Sequence, residues 1–313
     1  MKPFSRRPNP TIKNIIPLGF DSFGVRSMAT YVETENTKIL IDPGVSLAPL
    51  RYGLEPHPLE WKKLEETWNI IREYGEESDI LIVSHYHYDH HDPEYPQLYR
   101  GKTVFIKNPT RNINRSQKDR AAFFLEAAKG LPKTLKIADG ESFKIGETTI
   151  TFSNAVCHGT NPRLGYVIET CIKNGGEKFL HTSDVEGPSL ENQTAFIIDM
   201  KPDIVFVDGP MTYMLGYRYS YKSLETSNTN LINAIRKTQL HTLVLDHHFL
   251  RDLNYKKRIK PVYEEAEKHN VKVVTAAEFS GRKIEMLEAL RKELYAKHGE
   301  EKFKVGKRPL KED

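Results

Sequence analysis

Short apolar, β-branched segments recur along the chain with turn residues between them, and each reads as a strand. They are Ile12 to Ile16, Met28 to Val32, Lys38 to Ile41, Ile80 to Val83, Thr103 to Ile106, Thr148 to Phe152, Gly165 to Ile168, Lys178 to His181, Ile204 to Val207, Thr242 to Leu245 and Val271 to Val274. Longer patterns of helical type fall between them, at Pro58 to Tyr74, Leu190 to Met200, Leu224 to Thr238 and Ile259 to His269. Ser116-Gln117-Lys118-Asp119 resembles a capping box and opens a further helix that stops at Gly130. The early part is strand-dense and the late part alternates strand with helix. Two mixed sheets sandwiched between helices satisfy this order, in a single α/β domain over residues 1–280.

After Gly281, Ile284, Leu287, Leu290 and Leu294 recur at steps of three and four, the stripe of an amphipathic helix. Residues 281–313 are therefore expected to pack on the same domain as a covering helix with a charged tail, Lys302 to Asp313. Glu285, Glu288 and Glu293 dilute the basic face of this stretch, which argues against a membrane or nucleic-acid role.

Composition narrows the class. The 38% hydrophobic and 28% charged content is that of a soluble globular protein. No apolar run approaches the roughly 20 residues that cross a bilayer. Met1 to Pro8 is basic but has no apolar core behind it, unlike a secretion signal. Cys157 and Cys171 cannot build a disulfide framework, so a cytoplasmic setting is expected. The net charge of +4 permits an anionic substrate without marking a nucleic-acid binder. Oligomeric state is not legible in the chain.

The chemistry concentrates in Ser84-His85-Tyr86-His87-Tyr88-Asp89-His90-His91-Asp92, directly after the apolar Ile80 to Val83. A rigid strand delivering imidazoles and carboxylates to its own end is a usual way to build a metal site. His85 and His87 are two apart and share a side if the chain is extended. Asp89 and His90 follow on a turn.

His85-x-His87-x-Asp89-His90 resembles the signature of the metallo-β-lactamase superfamily. Four further elements occur in the order that the resemblance requires. Asp42-Pro43-Gly44 follows the strand Lys38 to Ile41, and His158-Gly159 follows Thr149 to Phe152. Ser183-Asp184 follows Lys178 to Leu180, and His247 follows Leu243 to Asp246. Within the superfamily, His90-His91 and the segment Leu245 to Asp252 most resemble an archaeal subgroup, a likeness that carries no substrate with it.

The resemblance implies a four-layer αββα sandwich. It also implies two metal ions, zinc foremost, with iron or manganese as alternatives. One ion would be held by His85, His87 and His158, the other by Asp89, His90 and His247, with Asp184 bridging. Asp89 and Asp184 are then the carboxylates that serve catalysis as well as ligation. A metal lowers the pKa of its water from about 15.7 to roughly 7, so a hydroxide between the metals would attack an ester, lactone or phosphoester. The expected function is that of a dinuclear metal-dependent hydrolase acting on a small or medium anionic substrate. The alternatives are a phosphodiesterase or nuclease, a redox member and a non-catalytic metal binder. The interval from Asp184 to His247 is too short for the added domain of the large RNA-processing relatives, which needs at least ~50 residues. The diiron relatives carry Glu where His87 stands, and the complete ligand set argues against a protein without turnover.

The remaining residues divide by context. Asp42 is expected to orient a ligating imidazole through its free nitrogen. His91 should point away, His181 should pack, and Cys157 should be a buried strand residue facing opposite to His158. His248 is expected on the substrate side, with Arg251 as an anion contact. Tyr86 and Tyr88 wall the cleft or pack beneath it. Met211 to Lys222, with four tyrosines, an Arg and a Lys, either recognises a ring and an anion or is a packed surface loop. Lys107, Arg111, Arg115 and Lys118 read as a solvated basic face.

Overall fold

The computed structural model describes residues 11–298. Met1 to Pro8 and the charged stretch Lys302 to Asp313 lie outside the described residues. The β-branched runs form two sheets. The first holds β1 (Asn14–Pro17), β2 (Thr30–Glu33), β3 (Lys38–Ile41), β4 (Ile80–Val83), β5 (Thr103–Ile106) and β6 (Thr134–Ile137), side by side in that order. β7 (Ser142–Ile145) and β8 (Thr148–Phe152) open the second sheet. A short ribbon of β9 (Val156–Cys157) and β10 (Tyr166–Val167) interrupts it. It resumes with β11 (Thr170–Asn174), β12 (Glu177–His181), β13 (Ile204–Asp208), β14 (Thr242–Asp246) and β15 (Lys272–Val274). Its spatial order is β15-β14-β13-β12-β11-β8-β7.

Within the two sheets, β1–β2, β2–β3, β7–β8, β8–β11 and β11–β12 pair antiparallel, and the remaining neighbours, joined by long crossovers, pair parallel. β3 to β6 run parallel, as do β12 to β15. The crossovers carry α1 (Pro58–Glu77), α2 (Arg115–Ala127), α3 (Glu191–Met200) and α4 (Tyr221–Lys237). After β14 come α5 (Tyr255–Arg258) and α6 (Lys260–Lys268), and after β15 come α7 (Ala276–Phe279) and α8 (Arg291–His298).

Side chains on a strand alternate faces, and here the alternation sorts the core into three seams. Ile39, Ile41, Ile80, Ile82 and Phe105 meet Ile172, Phe179, Phe206 and Val244 of the other sheet. Their neighbours Leu40, Leu81, Val83 and Val104 pack outward on Leu64 and Ile71 of α1 and Phe124 of α2. Leu180, Val205, Leu243 and Leu245 pack outward on Ile197, Leu231, Ile235 and Val262 of α3, α4 and α6. The result is the four-layer αββα sandwich.

Several expectations need correction. α2 starts at Arg115, not at a Ser116 box, because Asn114 already accepts the Gln117 N–H and satisfies the helix start. Its helical residues end at Ala127, and Gly130 lies beyond in a left-handed turn. Lys107 is not on a solvated face. It is fully buried, 2.6 Å from Asp139, and donates to the Arg111 carbonyl. Arg111, Arg115 and Lys118 are exposed. The stretch from Gly165 to Ile168 forms a strand only at Tyr166–Val167.

The tail is the largest departure. Ile284, Leu287 and Leu290 do not share a helix stripe, since the only helix of that region within the described residues is α8. The segment runs across the loops that follow β1 and β3. Met286 and Ala289, with the partly buried Ile284 and Leu290, join the apolar seam on the outer face of the second sheet. Arg291 is fully buried. Its Nε and NH2 each lie 2.8 Å from one Glu60 oxygen, and it also donates to the carbonyls of Leu54 and Ala48. Glu60 caps α1 by accepting the His57 N–H, so one ion pair fixes both the helix start and the tail. Breaking a buried pair from one side leaves an uncompensated charge, at a cost of about 3–5 kcal/mol. Arg291→Met is expected to lower the free energy of unfolding by that amount in urea titration. Unchanged stability would show that the tail contributes little to holding the fold.

Candidate metal centre

Both sheets end at one rim. The ends of β3, β4, β12, β13 and β14 deliver Asp42, Ser84-His85, Ser183-Asp184, Asp208 and His247, while the turn after β9 delivers His158. Several of these residues are forced out of ordinary backbone geometry. Asp42, Ser183, Glu186 and His247 have φ of 50°, 56°, 47° and 57°, a region costly for residues with a Cβ. Gly44 stands where no side chain fits, since a Cβ there would lie 2.3 Å from the His91 nitrogen. The loop after β3 is therefore pressed directly against the His90-His91 backbone.

Of four groups of side chains among the described residues that could hold a metal ion, two offer four ligand atoms each and two, Asp42-His85-His90 and Asp184-Asp208-His248, offer three. In one of the larger groups, the ligand atoms of His85, His87, His158 and Asp184 all lie within 4.8 Å of one another; in the other, those of Asp89, His90, Asp184 and His247 do. Asp184 belongs to both. Its Oδ2 is 3.7 Å from His85 Nε2, 3.2 Å from His158 Nε2 and 3.3 Å from His247 Nε2. Its Oδ1 is 3.0 Å from His90 Nε2. Asp89 reaches His90 and His247 at 3.6 Å each.

The donor set fits a metal. Nε2 of His85, His90 and His158 and Oδ1 of Asp89 and Asp184 are buried with no hydrogen-bond partner. Buried polar atoms are rarely left so without an unseen ligand. Imidazole nitrogen and carboxylate oxygen are ligands that zinc takes. Burial, and next the charge of His90, holds the His85 imidazole well below its ordinary range; burial and His158 do the same for His87. Both keep a free lone pair at neutral pH. Burial alone would raise the Asp184 carboxyl, but His90 and His247 outweigh it and hold it well below the usual carboxylate range.

The far nitrogen of several of these imidazoles is tied down. Asp42 lies 2.9 Å from His90 Nδ1 and also accepts the Ser84 N–H and hydroxyl. Asp21 lies 2.7 Å from His247 Nδ1, and Asp208 lies 3.0 Å from His248 Nδ1. The Ser84 and Ser183 hydroxyls sit 3.1 and 3.3 Å from His85 Nδ1. Glu186 Oε1 lies 3.5 Å from His158 Nδ1.

All seven ligands expected from the sequence meet at this rim. His248 stands beside them, forming a three-membered group of its own with Asp184 and Asp208, and its Nε2 lies 3.9 Å from Glu186. Arg251 is not simply an anion contact. It is 3% exposed, gives its Nε to Asp21 and leaves its NH2 3.4 Å from His247 Nε2. His91 is buried outside both groups, stacked on Tyr88 and bonded to the His87 carbonyl. His181 packs with Nε2 on the Met28 carbonyl. Cys157 lies outside both groups and is half-buried rather than buried. Tyr86 is buried, with its hydroxyl on the Lys107 carbonyl. In the tyrosine-rich loop, Tyr219 is buried against Ser189 and Ser227, Tyr217 and Tyr221 are exposed, and Tyr213 faces His248.

The sequence reading missed Asp21, Asp208 and Glu186. Asp208-Gly209 ends an apolar strand as Asp42 and Asp184 nearly do, so the same rule could have found it. Glu186 stands two residues after Asp184. Asp21 has no local signal.

A family profile described as "Beta-lactamase superfamily domain" matches residues 37–248. The chain is 54% identical over 282 residues to a UPF0282 protein of Korarchaeum cryptofilum, covering 90% of this chain and 94% of that protein. It is 49% identical to a UPF0282 protein of Metallosphaera sedula, covering 90% and 92%. Among solved structures, one titled "Crystal structure of unliganded yeast PDE1" superposes with a TM-score of 0.51 at 14% identity, over 83% of this chain and 96% of that one. The chain belongs to the β-lactamase superfamily and, within it, to the UPF0282 proteins.

Carboxylates that orient ligating imidazoles are each worth about 10–100-fold in metal affinity. Asp42→Asn is expected to weaken metal retention by that factor in competition with a chelator. Wild-type affinity would mean that Asp42 serves only the backbone of Ser84.

Proposed function

We propose that this protein is a dinuclear metal-dependent hydrolase that cleaves an ester, lactone or phosphoester bond in a small or medium anionic substrate. The observation that carries the reading is the sharing of Asp184 between two complete ligand groups. A single structural ion needs only one closed set of four ligands. Zinc is the preferred metal, because six imidazole and carboxylate ligands surround the shared one. When bound, the pair would supply a nucleophile at neutral pH and polarise the scissile oxygen.

The residues of the chain do the rest. Asp42 and Asp21 fix which nitrogen of His90 and His247 faces the centre. Asp184, held ionised by His90 and His247 against its burial, would offset the charge of the cations, and Asp89 adds a second carboxylate ligand beside His90 and His247. His248, held through Nδ1 by Asp208, keeps its Nε2 for a substrate oxygen. Arg251 holds Asp21 in place and adds a cation beside the centre, which favours an anionic substrate. Among the described residues no helix is long and apolar enough to cross a membrane. The low cysteine content supports action in the cytoplasm.

Elemental analysis of metal-loaded protein is expected to find two ions per chain; at most one would refute the dinuclear reading. Asp184→Asn should lose most metal and about 10²-fold or more in turnover on whichever ester, lactone or phosphodiester a broad screen identifies. His247→Ala should retain no more than one ion, whereas His248→Ala should retain both. A deficit confined to His248→Ala would reverse the roles of these two residues.

A further inference from the structure

Beyond the metal ligands, one wall of the rim is built from cations and aromatic rings. Arg51 lies in a two-residue turn closed by hydrogen bonds in both directions with Leu54. Tyr52 and Gly53 at its tip have φ of 56° and 75°. Positive φ at both positions is the geometry of the tightest hairpin turns, and tyrosine is a costly choice there. The tip is nevertheless held, because the Tyr52 hydroxyl donates to the Ala289 carbonyl of the tail. Strain of this kind persists only where the surroundings enforce it, and it clusters where a group must be held in place.

The group held is the Arg51 guanidinium. It lies 4.7 Å from the Tyr52 ring centroid and 4.7 Å from that of Tyr213. Arg251 approaches the Tyr213 ring at 5.8 Å. Two cations thus converge on one ring, and their nearby carboxylates are already engaged. Asp21 accepts from Arg251, while Glu288 accepts twice from Arg26 and stays 3.9 Å from Arg51. Arg51 Nε is buried without a hydrogen-bond partner. The Tyr213 hydroxyl also makes no hydrogen bond among the described residues. The Tyr213 ring is parallel to His248, 6.5 Å away, and His248 is 5.9 Å from His158. This wall therefore stands one ring further out than the metal ligands.

We propose that Arg51, Arg251 and Tyr213 form an oxyanion subsite that binds a carboxylate or phosphate carried by the substrate away from its scissile bond. The inference rests on the hydrolase reading for what lies over Asp184, but not for the subsite itself. It narrows the substrate class to an ester or lactone with a remote anionic group. The Arg51 guanidinium, stacked between two rings, gives its Nη2 to the Arg251 carbonyl at 3.2 Å and to the Tyr52 hydroxyl at 3.5 Å, and its Nη1, with no hydrogen bond among the described residues, is the donor left for such an oxyanion. The Tyr213 hydroxyl adds a donor that no protein group uses.

Tyr213→Phe removes only that hydroxyl, and Arg51→Lys keeps the charge but loses the planar fork. Metal-loaded full-length protein and both variants would be titrated calorimetrically with inorganic phosphate and with acetate, with metal content measured alongside. Losing a hydrogen bond to a charged group is expected to weaken at least one of these anions about tenfold in each variant at wild-type metal content. Loss for phosphate alone identifies a phosphorylated substrate, and loss for acetate alone a carboxylate. Unchanged affinity for both anions in both variants would overturn the proposal, since the metals alone would then hold the anion. Failure of the hydrolase reading would show separately, as absence of turnover with every ester offered, and would leave the binding result standing.

Discussion

A carboxylate buried in protein must be compensated or it will not stay ionised. Asp184 is 1% exposed and lies among the imidazoles of His85, His90, His158 and His247. The rest of the rim follows from this constraint. Four imidazoles can surround one carboxylate only if two sheets bring their strand ends together. They can stay oriented only if their outer nitrogens are tied. Asp21 and Asp42 do this for His247 and His90, the Ser84 and Ser183 hydroxyls lie beside the outer nitrogen of His85, and Asp208 holds the neighbouring His248. Each of these three carboxylates is itself anchored, Asp42 by the Ser84 amide, Asp208 by the amides of Glu186 and His248, and Asp21 by the Arg251 guanidinium. Asp246 completes the scaffold by accepting from the amides of Ser22, His247 and Ala276.

How much of this could be read in the chain depended on how local each cause is. The imidazoles between His85 and His90 are legible because one strand and one turn present them together. His158, Asp184 and His247 are legible because each follows an apolar strand, and strand ends are where these sheets place function. Asp21 is invisible because its partner His247 is 226 residues away. β6 and β7 went unrecognised because they are edge strands with Leu135, Ile137 and Ser142 facing solvent, so no continuous apolar run marks them. The tail misled for the opposite reason. Its apolar residues do repeat at helical spacing, but the Arg291–Glu60 pair and the Tyr52 contact to Ala289 hold the segment across neighbouring loops. Periodicity reports burial on one side, and here an irregular strap satisfies it without a helix. Lys107 misled because a lysine in a polar stretch reads as exposed, whereas Asp139 lets it be buried.

The same long-range pairings govern the order in which the protein can be made. During synthesis the cluster from His85 to His90 emerges well before His247. The carboxylate of Asp21 likewise waits for a partner at the far end of the chain, and Glu60 waits for Arg291, 231 residues later. Contacts of such sequence separation form late, because the loop they close must be ordered first. A nascent chain therefore carries a half-built cradle of imidazoles before its final geometry exists. The rim is complete only when β14, which delivers His247, and the strap that carries Arg291 have docked, which makes completion of the fold and assembly of the site a single event.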